Sequence, residues 1–159
     1  MGNAARKSAS PPPEPPEPWY ADGLHFACTQ CGNCCGGAPG YVWVDEVETR
    51  KIAAFLNLDV TDFATRYVRA AHRRKSLIEY RNGDCVFLQR DGKGKASCSI
   101  HPVRPLQCRT WPFWNSNLAS KDDWDYASKN CPGMNRGPHH ALPVIQAALA
   151  DNDTARLPL

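Results

Sequence analysis

Apolar positions recur at two different periods along this chain. Between Asp45 and Asn57, Val47, Ile52, Phe55 and Leu56 fall at roughly helical spacing, with Asp45 as N-cap and acids in the first turn, which predicts a helix. Thr61 or Asp62 then caps a second helix carrying Phe63, Tyr67 and Val68. The period shortens afterwards: Ser76 to Arg81 and Cys85 to Gln89 read as strands joined at Asn82-Gly83, a strong hairpin signal. Asp91-Gly92 and Gly94 make another turn, and Ala96 to Ile100 follows as a third strand. Pro102 and Pro105 break the chain, and a short turn or helix at Leu106 to Thr110 leads into the aromatic run Trp111-Pro112-Phe113-Trp114. Ala141 to Ala150 forms a last helix. The expected fold is a small single α+β domain with long loops, a short β-hairpin and several helices.

The flanks differ from this core. Residues 1–18 hold six of the fourteen prolines and no large apolar residue except Met1, which marks a disordered Pro-rich leader. Its PPPEPPEP run suits an SH3-like groove, but a solvated tail is the simpler account. Residues 151–159 read as a frayed C-terminal tail, which leaves 19–150 as the domain. Across all 159 residues the net charge is +3, too small to imply a nucleic-acid partner. No apolar run matches a signal peptide or the roughly 20 residues of a membrane span. Arg6 stands where a myristoylation pattern wants Ser or Thr. The expected location is the cytoplasm, where thiols stay reduced and clustered cysteines bind metal more often than they pair.

That expectation matters because the chain has eight cysteines, clustered beyond anything ordinary buried thiols require. The central segment is Cys28-Thr29-Gln30-Cys31-Gly32-Asn33-Cys34-Cys35-Gly36-Gly37. Two-residue spacers turn successive thiolates toward one centre, and the glycines permit tight backbone angles and close approach of N–H groups to sulfur. Cys85, Cys98, Cys108 and Cys131 complete the set. Metal ions are thus the expected partners, with cysteine-ligated metal fastening the loops. Eight thiolates suit two four-thiolate sites. Extended backbone at Cys34-Cys35 would send their side chains to opposite sides. Cys28, Cys31, Cys34 and Cys131 would then form one site, and Cys35, Cys85, Cys98 and Cys108 the other. One site of four, with core thiols besides, is the alternative. Iron–sulfur cluster and zinc both remain open: CxxCxxC opens the bacterial ferredoxin run and Cys131-Pro132 supplies a Cys-Pro, while zinc also uses CxxC pairs.

With Cys98-Ser99-Ile100-His101-Pro102-Val103-Arg104-Pro105-Leu106-Gln107-Cys108-Arg109 and Cys131-Pro132-Gly133 added, the sequence resembles the YkgJ-type cysteine-cluster family, the CxxCxxCC zinc- or iron-chelating domains. Phe26, Gly83-x-Cys85-x-Phe87-Leu88, Trp111-Pro112 and Trp114 match as well, so the resemblance covers about residues 24–135. It implies metal or iron–sulfur binding, with a 4Fe-4S cluster favoured and zinc as the alternative. Many relatives carry Tyr where His101 stands, so it implies no ligand role for His101. Some relatives are flagellin lysine N-methylases, which makes a protein N-methylase the competing class. Against it, the C-x₃-C-x₂-C spacing of radical S-adenosylmethionine chemistry is absent, as is a Gly-rich loop after a strand.

Other residues carry weaker signals. Arg104 and Arg109 are candidates to lie against the thiolates as cofactor-binding groups, or to pair with Asp45 or another acid. Trp111, Phe113 and Trp114 read as core that also shields a cluster. The basic run Arg66, Arg69, His72, Arg73, Arg74, Lys75 reads as a solvated helix end, ahead of a nucleic-acid patch, which keeps a zinc-stabilised nucleic-acid module as the third class. His139-His140 reads as a loop before the last helix, and Asp122, Asp123 and Asp125 as solvent-facing acids. No catalytic pair emerges. The leading expectation is therefore a metal-binding protein with a redox or structural role and a redox protein as partner.

Deleting residues 1–18 is expected to leave metal content and thermal stability unchanged, because the segment lacks apolar surface to pack. A fall of several degrees in melting temperature would show that the leader docks on the domain.

Overall fold

Strands of two to seven residues pair into three short antiparallel sheets in the computed structural model, which describes residues 16–37, 39–92 and 95–156. Most of the leader, residues 1–15, lies outside the described residues, as do residues 157–159. In chain order the strands are β1 (Leu24–Phe26), β2 (Val42–Trp43), β3 (Val68–Ala71), β4 (Arg74–Leu77), β5 (Leu88–Arg90), β6 (Ala96–Cys98) and β7 (Met134–His140). The helices are α1 (Glu46–Phe55), α2 (Val60–Tyr67), α3 (Leu106–Thr110), α4 (Asn115–Leu118), α5 (Lys121–Ser128) and α6 (Leu142–Arg156). Two 3₁₀ turns cover Asn33–Cys35 and His101–Val103. Sheet orders are β1-β7, β2-β4-β3 and β5-β6, so the α+β class holds.

Local chemistry explains the helices. Asp45 caps α1 in a full capping box: its side chain accepts from the Glu48 N–H while Glu48 reaches back to the Asp45 N–H. The second helix starts two to three residues earlier than expected, because Asp59 is the cap and accepts from the Thr61 and Asp62 N–H groups. Val68 is not helical; it opens β3. Helix α5, absent from the periodicity reading, is nucleated by Ser120 at its N-cap and carries Asp122, Asp123 and Asp125 beside a buried Trp124.

Four expectations are corrected. The main hairpin of the middle sheet turns at His72-Arg73, both at positive φ, where neither residue type signals such a turn. The Asn82-Gly83 turn forms, but its ladder shrinks to a single Glu79–Cys85 bridge, since the Cys85 N–H is donated to the Cys35 carbonyl at 2.6 Å. His139-His140 is not loop: β7 pairs with β1, and both rings donate to carbonyls, of Asp22 and Phe26. The tail expected from Asp151 continues α6 to Arg156, held by a buried Asn152 whose Nδ2 donates to Thr110 Oγ1 at 2.6 Å.

Two apolar clusters form the core. One gathers Ile52, Phe63, Leu77, Phe87 and Ile100 under the middle sheet and α1–α2. The other gathers Phe113, Trp124, Cys131, Met134 and Ile145 between α3–α6 and β7, with Phe113 stacked on Trp124. Trp19 belongs to this second unit, its indole donating to the Leu118 carbonyl at 2.9 Å.

Gly133 is where the segment leaving β1 meets the segment entering β7. A Cβ there would run into the Ala27 carbonyl oxygen, and the Ala27 N–H donates to the Gly133 carbonyl. Gly133→Ala is expected to lower unfolding stability by about 1–3 kcal/mol through overpacking. Gly92→Ala, which meets nothing within 4 Å, is the control. Equal urea midpoints for the two variants would disprove the close approach.

Candidate metal centre

The cysteine loop leaves β1 at Ala27 and is pinned at both ends. Ala27 is wedged against Gly133, and Asn33 Nδ2 donates to the Asn130 carbonyl at 2.8 Å, which fixes the loop beside Cys131. Between these anchors Gly32 takes the left-handed conformation (φ 75°), at which a Cβ would lie 2.6 Å from that of Ala96. Its carbonyl accepts from the Cys35 N–H, closing the 3₁₀ turn over Asn33–Cys35. That turn overturns the extended backbone expected at Cys34-Cys35. The two sulfurs lie 3.8 Å apart and on the same side. The division of thiols into opposite-facing sets loses its premise.

The other cysteines come from the pieces this loop rests on. Cys85 is joined to the loop through its backbone bond to Cys35, Cys98 ends β6, Cys108 sits on α3, and Cys131 follows α5. All eight cysteines line a single cavity of about 50 Å³, and none is in a disulfide. Its walls take Leu77, Phe87 and Ile100 from one apolar cluster and Phe26, Trp111 and Cys131 from the other. Beside it, a groove of about 300 Å³ reaches Cys34, Cys35, Cys85 and Cys108 past Tyr41, Trp111 and Trp114.

Proximity governs the electrostatics. Cys34 is lowered to about 7, chiefly by the hydrogen bond from Cys35, with a smaller contribution from the Arg104 charge. Cys35 moves far upward in answer, since one proton between two touching sulfurs cannot be given up cheaply. Burial first, and neighbouring thiols second, push Cys108 up. Burial likewise raises Cys85 and Cys98, and is opposed by N–H groups directed at their sulfurs, from Phe87 and Leu88 at Cys85 and from Ile100 at Cys98. Trp111 adds another donor, its Nε1–H pointing at Cys131 Sγ at 3.4 Å.

The remaining candidates separate clearly. Arg104 lines the cavity, and its charge favours the ionised forms of Cys34, Cys98 and Cys108. Arg109 is not among the lining residues; it turns to Glu48, at 4.0 Å, and donates to the Arg104 carbonyl. His101 lines the cavity, and its pKa is lowered by burial and by Arg104. Trp111 walls both spaces, Phe113 is core, and Trp114 meets Trp111 edge-on. Of the basic run, Arg66 pairs with Asp62, Arg69 with Glu79 and Lys75 with Glu46, while Arg74 lies over the Trp43 ring. Gln107, which the sequence reading did not single out, ties α3 to β2 by bonding Trp43 N–H and the Tyr41 carbonyl.

The donor set fits a thiophilic metal in its chemistry: soft sulfur ligands, N–H groups aimed at them and a nearby guanidinium. It is not drawn into a finished polyhedron. Among the described residues no group of three or more His, Cys, Asp or Glu side chains is already arranged to hold an ion. No helix among them is long and apolar enough to cross a membrane.

Comparison with known proteins defines the class first. Residues 27–132 match the family model CxxCxxCC, described as "Putative zinc- or iron-chelating domain", and the chain belongs to that family. A curated relative is the uncharacterized protein MJ0661 of Methanocaldococcus jannaschii, 34% identical over 94 residues, which are 59% of this chain and 48% of the relative. The chain thus spans about half the length of that protein. No solved structure matches.

Because Cys85, Cys98 and Cys108 keep their protons at neutral pH, metal can bind them only by displacing those protons. Adding Zn²⁺ to reduced, metal-free protein at pH 7 is expected to acidify a weakly buffered solution, and apparent affinity should rise between about pH 6 and about pH 8. The same upward shifts act on the metal-free fold in one direction. Their stability is intact below the ordinary thiol value of 9.0 and is lost as pH rises above it. Binding without proton release would show that the thiols are already ionised.

Proposed function

We propose that this protein is an iron–sulfur protein with a redox role, electron transfer or redox sensing, its cysteines serving one shared metal–thiolate assembly. The observation that carries the reading is the convergence of all eight thiols on one cavity. A closed structural zinc site takes four ligands and a single four-iron cluster also takes four cysteines, so eight thiols suit an assembly larger than either. Eight thiols with N–H groups directed at their sulfurs suit an assembly whose charge changes, because such bonds and solvent exclusion tune the potential of iron–sulfur centres.

In this reading Cys28, Cys31, Cys34, Cys35, Cys85, Cys98, Cys108 and Cys131 supply the sulfur ligands, and a bound cluster supplies one-electron exchange. The chain's own groups do the rest. The Phe87, Leu88 and Ile100 N–H groups and the Trp111 indole offset negative charge on sulfur, and Arg104 adds a full positive charge. Phe26, Phe87 and Trp111 exclude water. The groove at Tyr41, Trp111 and Trp114 is the approach for a redox protein, since its polar groups are already engaged: Glu79 by Arg69 and Gly40, Gln107 by Trp43 and Tyr41.

Protein purified without oxygen is expected to be brown, with iron and acid-labile sulfide in equal amounts. Cys34→Ser and Cys35→Ser should each diminish the same visible absorption and the same electron-spin signal. Colourless protein containing zinc would overturn the iron–sulfur reading. Two signals lost separately by the two variants would overturn the shared assembly.

A further inference from the structure

One enclosed polar atom, on a residue that lines the cysteine cavity, has no partner. His101 Nε2 is enclosed by protein and has no hydrogen-bond partner, although the ring lies among the residues that line the cavity. Leaving a buried polar group unpaired costs roughly 1–3 kcal/mol. The other enclosed orphan among the described residues, Arg69 Nε, belongs to a guanidinium already engaged with Glu79 and the Gly40 carbonyl. His101 has no such explanation.

We propose that His101 is a nitrogen ligand of the same metal centre, through Nε2, so that the assembly is mixed imidazole–thiolate. The proposal rests on the metal-centre reading above. Three observations converge on it. The first is the orphaned nitrogen itself, which in a neutral ring with its proton on Nδ1 offers a lone pair suited to iron or zinc. The second is spacing: Cys98-Ser99-Ile100-His101 repeats the two-residue interval of Cys28 to Cys31 and Cys31 to Cys34. The third is that the backbone holds His101 in place. Cys98 ends β6, Ile100 is buried at 1% exposure, and a 3₁₀ turn begins at His101, whose carbonyl accepts from Arg104 Nε at 3.1 Å. His101 and Cys98, which both line the cavity, thus come from one short, fixed segment.

A neutral imidazole in place of a thiolate removes one negative charge from the first coordination sphere. In an iron–sulfur centre this favours the reduced state and raises the potential.

The test uses the full chain, purified without oxygen, with its metal content measured first. If iron is bound, histidine labelled with ¹⁵N should give a strong nitrogen hyperfine coupling in the reduced centre. If zinc is bound, X-ray absorption should show nitrogen at about 2.0–2.1 Å beside sulfur at about 2.3 Å. His101→Phe should abolish the nitrogen signal. His101→Cys should keep the metal with an all-sulfur shell and, with iron, lower the potential; this variant decides the matter if the Phe variant does not fold. An all-sulfur shell in the unaltered protein, or a nitrogen signal that survives in His101→Cys, would overturn the proposal and leave the metal centre standing. Absence of any metal in the unaltered protein would overturn both.

Discussion

Eight sulfurs on one small cavity cannot all carry charge at once. Each thiolate raises the proton affinity of the next, and burial adds to the effect. The paired extremes at Cys34 and Cys35, whose sulfurs are 3.8 Å apart, are the sharpest expression of that constraint. Either the site keeps protons or something positive enters it. Arg104 contributes one charge and the directed N–H groups contribute dipoles, but a single guanidinium is small against so many sulfurs. A bound metal relieves the whole set together.

The position of the cavity gives this chemistry structural weight. Its walls belong to both apolar clusters, one under the middle sheet and one beside β7 and α6. Neither cluster is large, and the net apolar fraction of 42% is modest. Backbone bonds from Cys85 to Cys35 and from Ala27 to Gly133 lace the cysteine loop to each half. Ligation across the cavity would therefore tie together parts of the chain that packing alone joins weakly.

Much of the chain was legible before its folding was known. Helix α1 was readable from Asp45 and its acids, because a capping box is local chemistry. Helix α3 and the β5–β6 hairpin were readable because Pro105 and the Asp91-Gly92 turn act on their immediate neighbours. The eight cysteines and their family pattern were readable as well, since spacing is written in the sequence. Elements that depend on distant partners were not. Strand β7 has few β-formers and exists because β1 pairs with it. The true hairpin turns at His72-Arg73, whose positive φ values are imposed by strand register and not by residue type.

The sequence by itself determined that soft metal chemistry was the business of this protein, because CxxCxxCC carries its ligand spacing in adjacent residues. It could not determine how Cys34 and Cys35 would face. That was decided by a single 3₁₀ turn, which places their sulfurs on the same side where extended backbone would have separated them. Nor could it separate Arg104, which faces the thiols, from Arg109, which turns to Glu48. Those outcomes are directions of side chains in space. They follow from which backbone groups are already engaged by partners far along the chain, and only the folded arrangement supplies those partners.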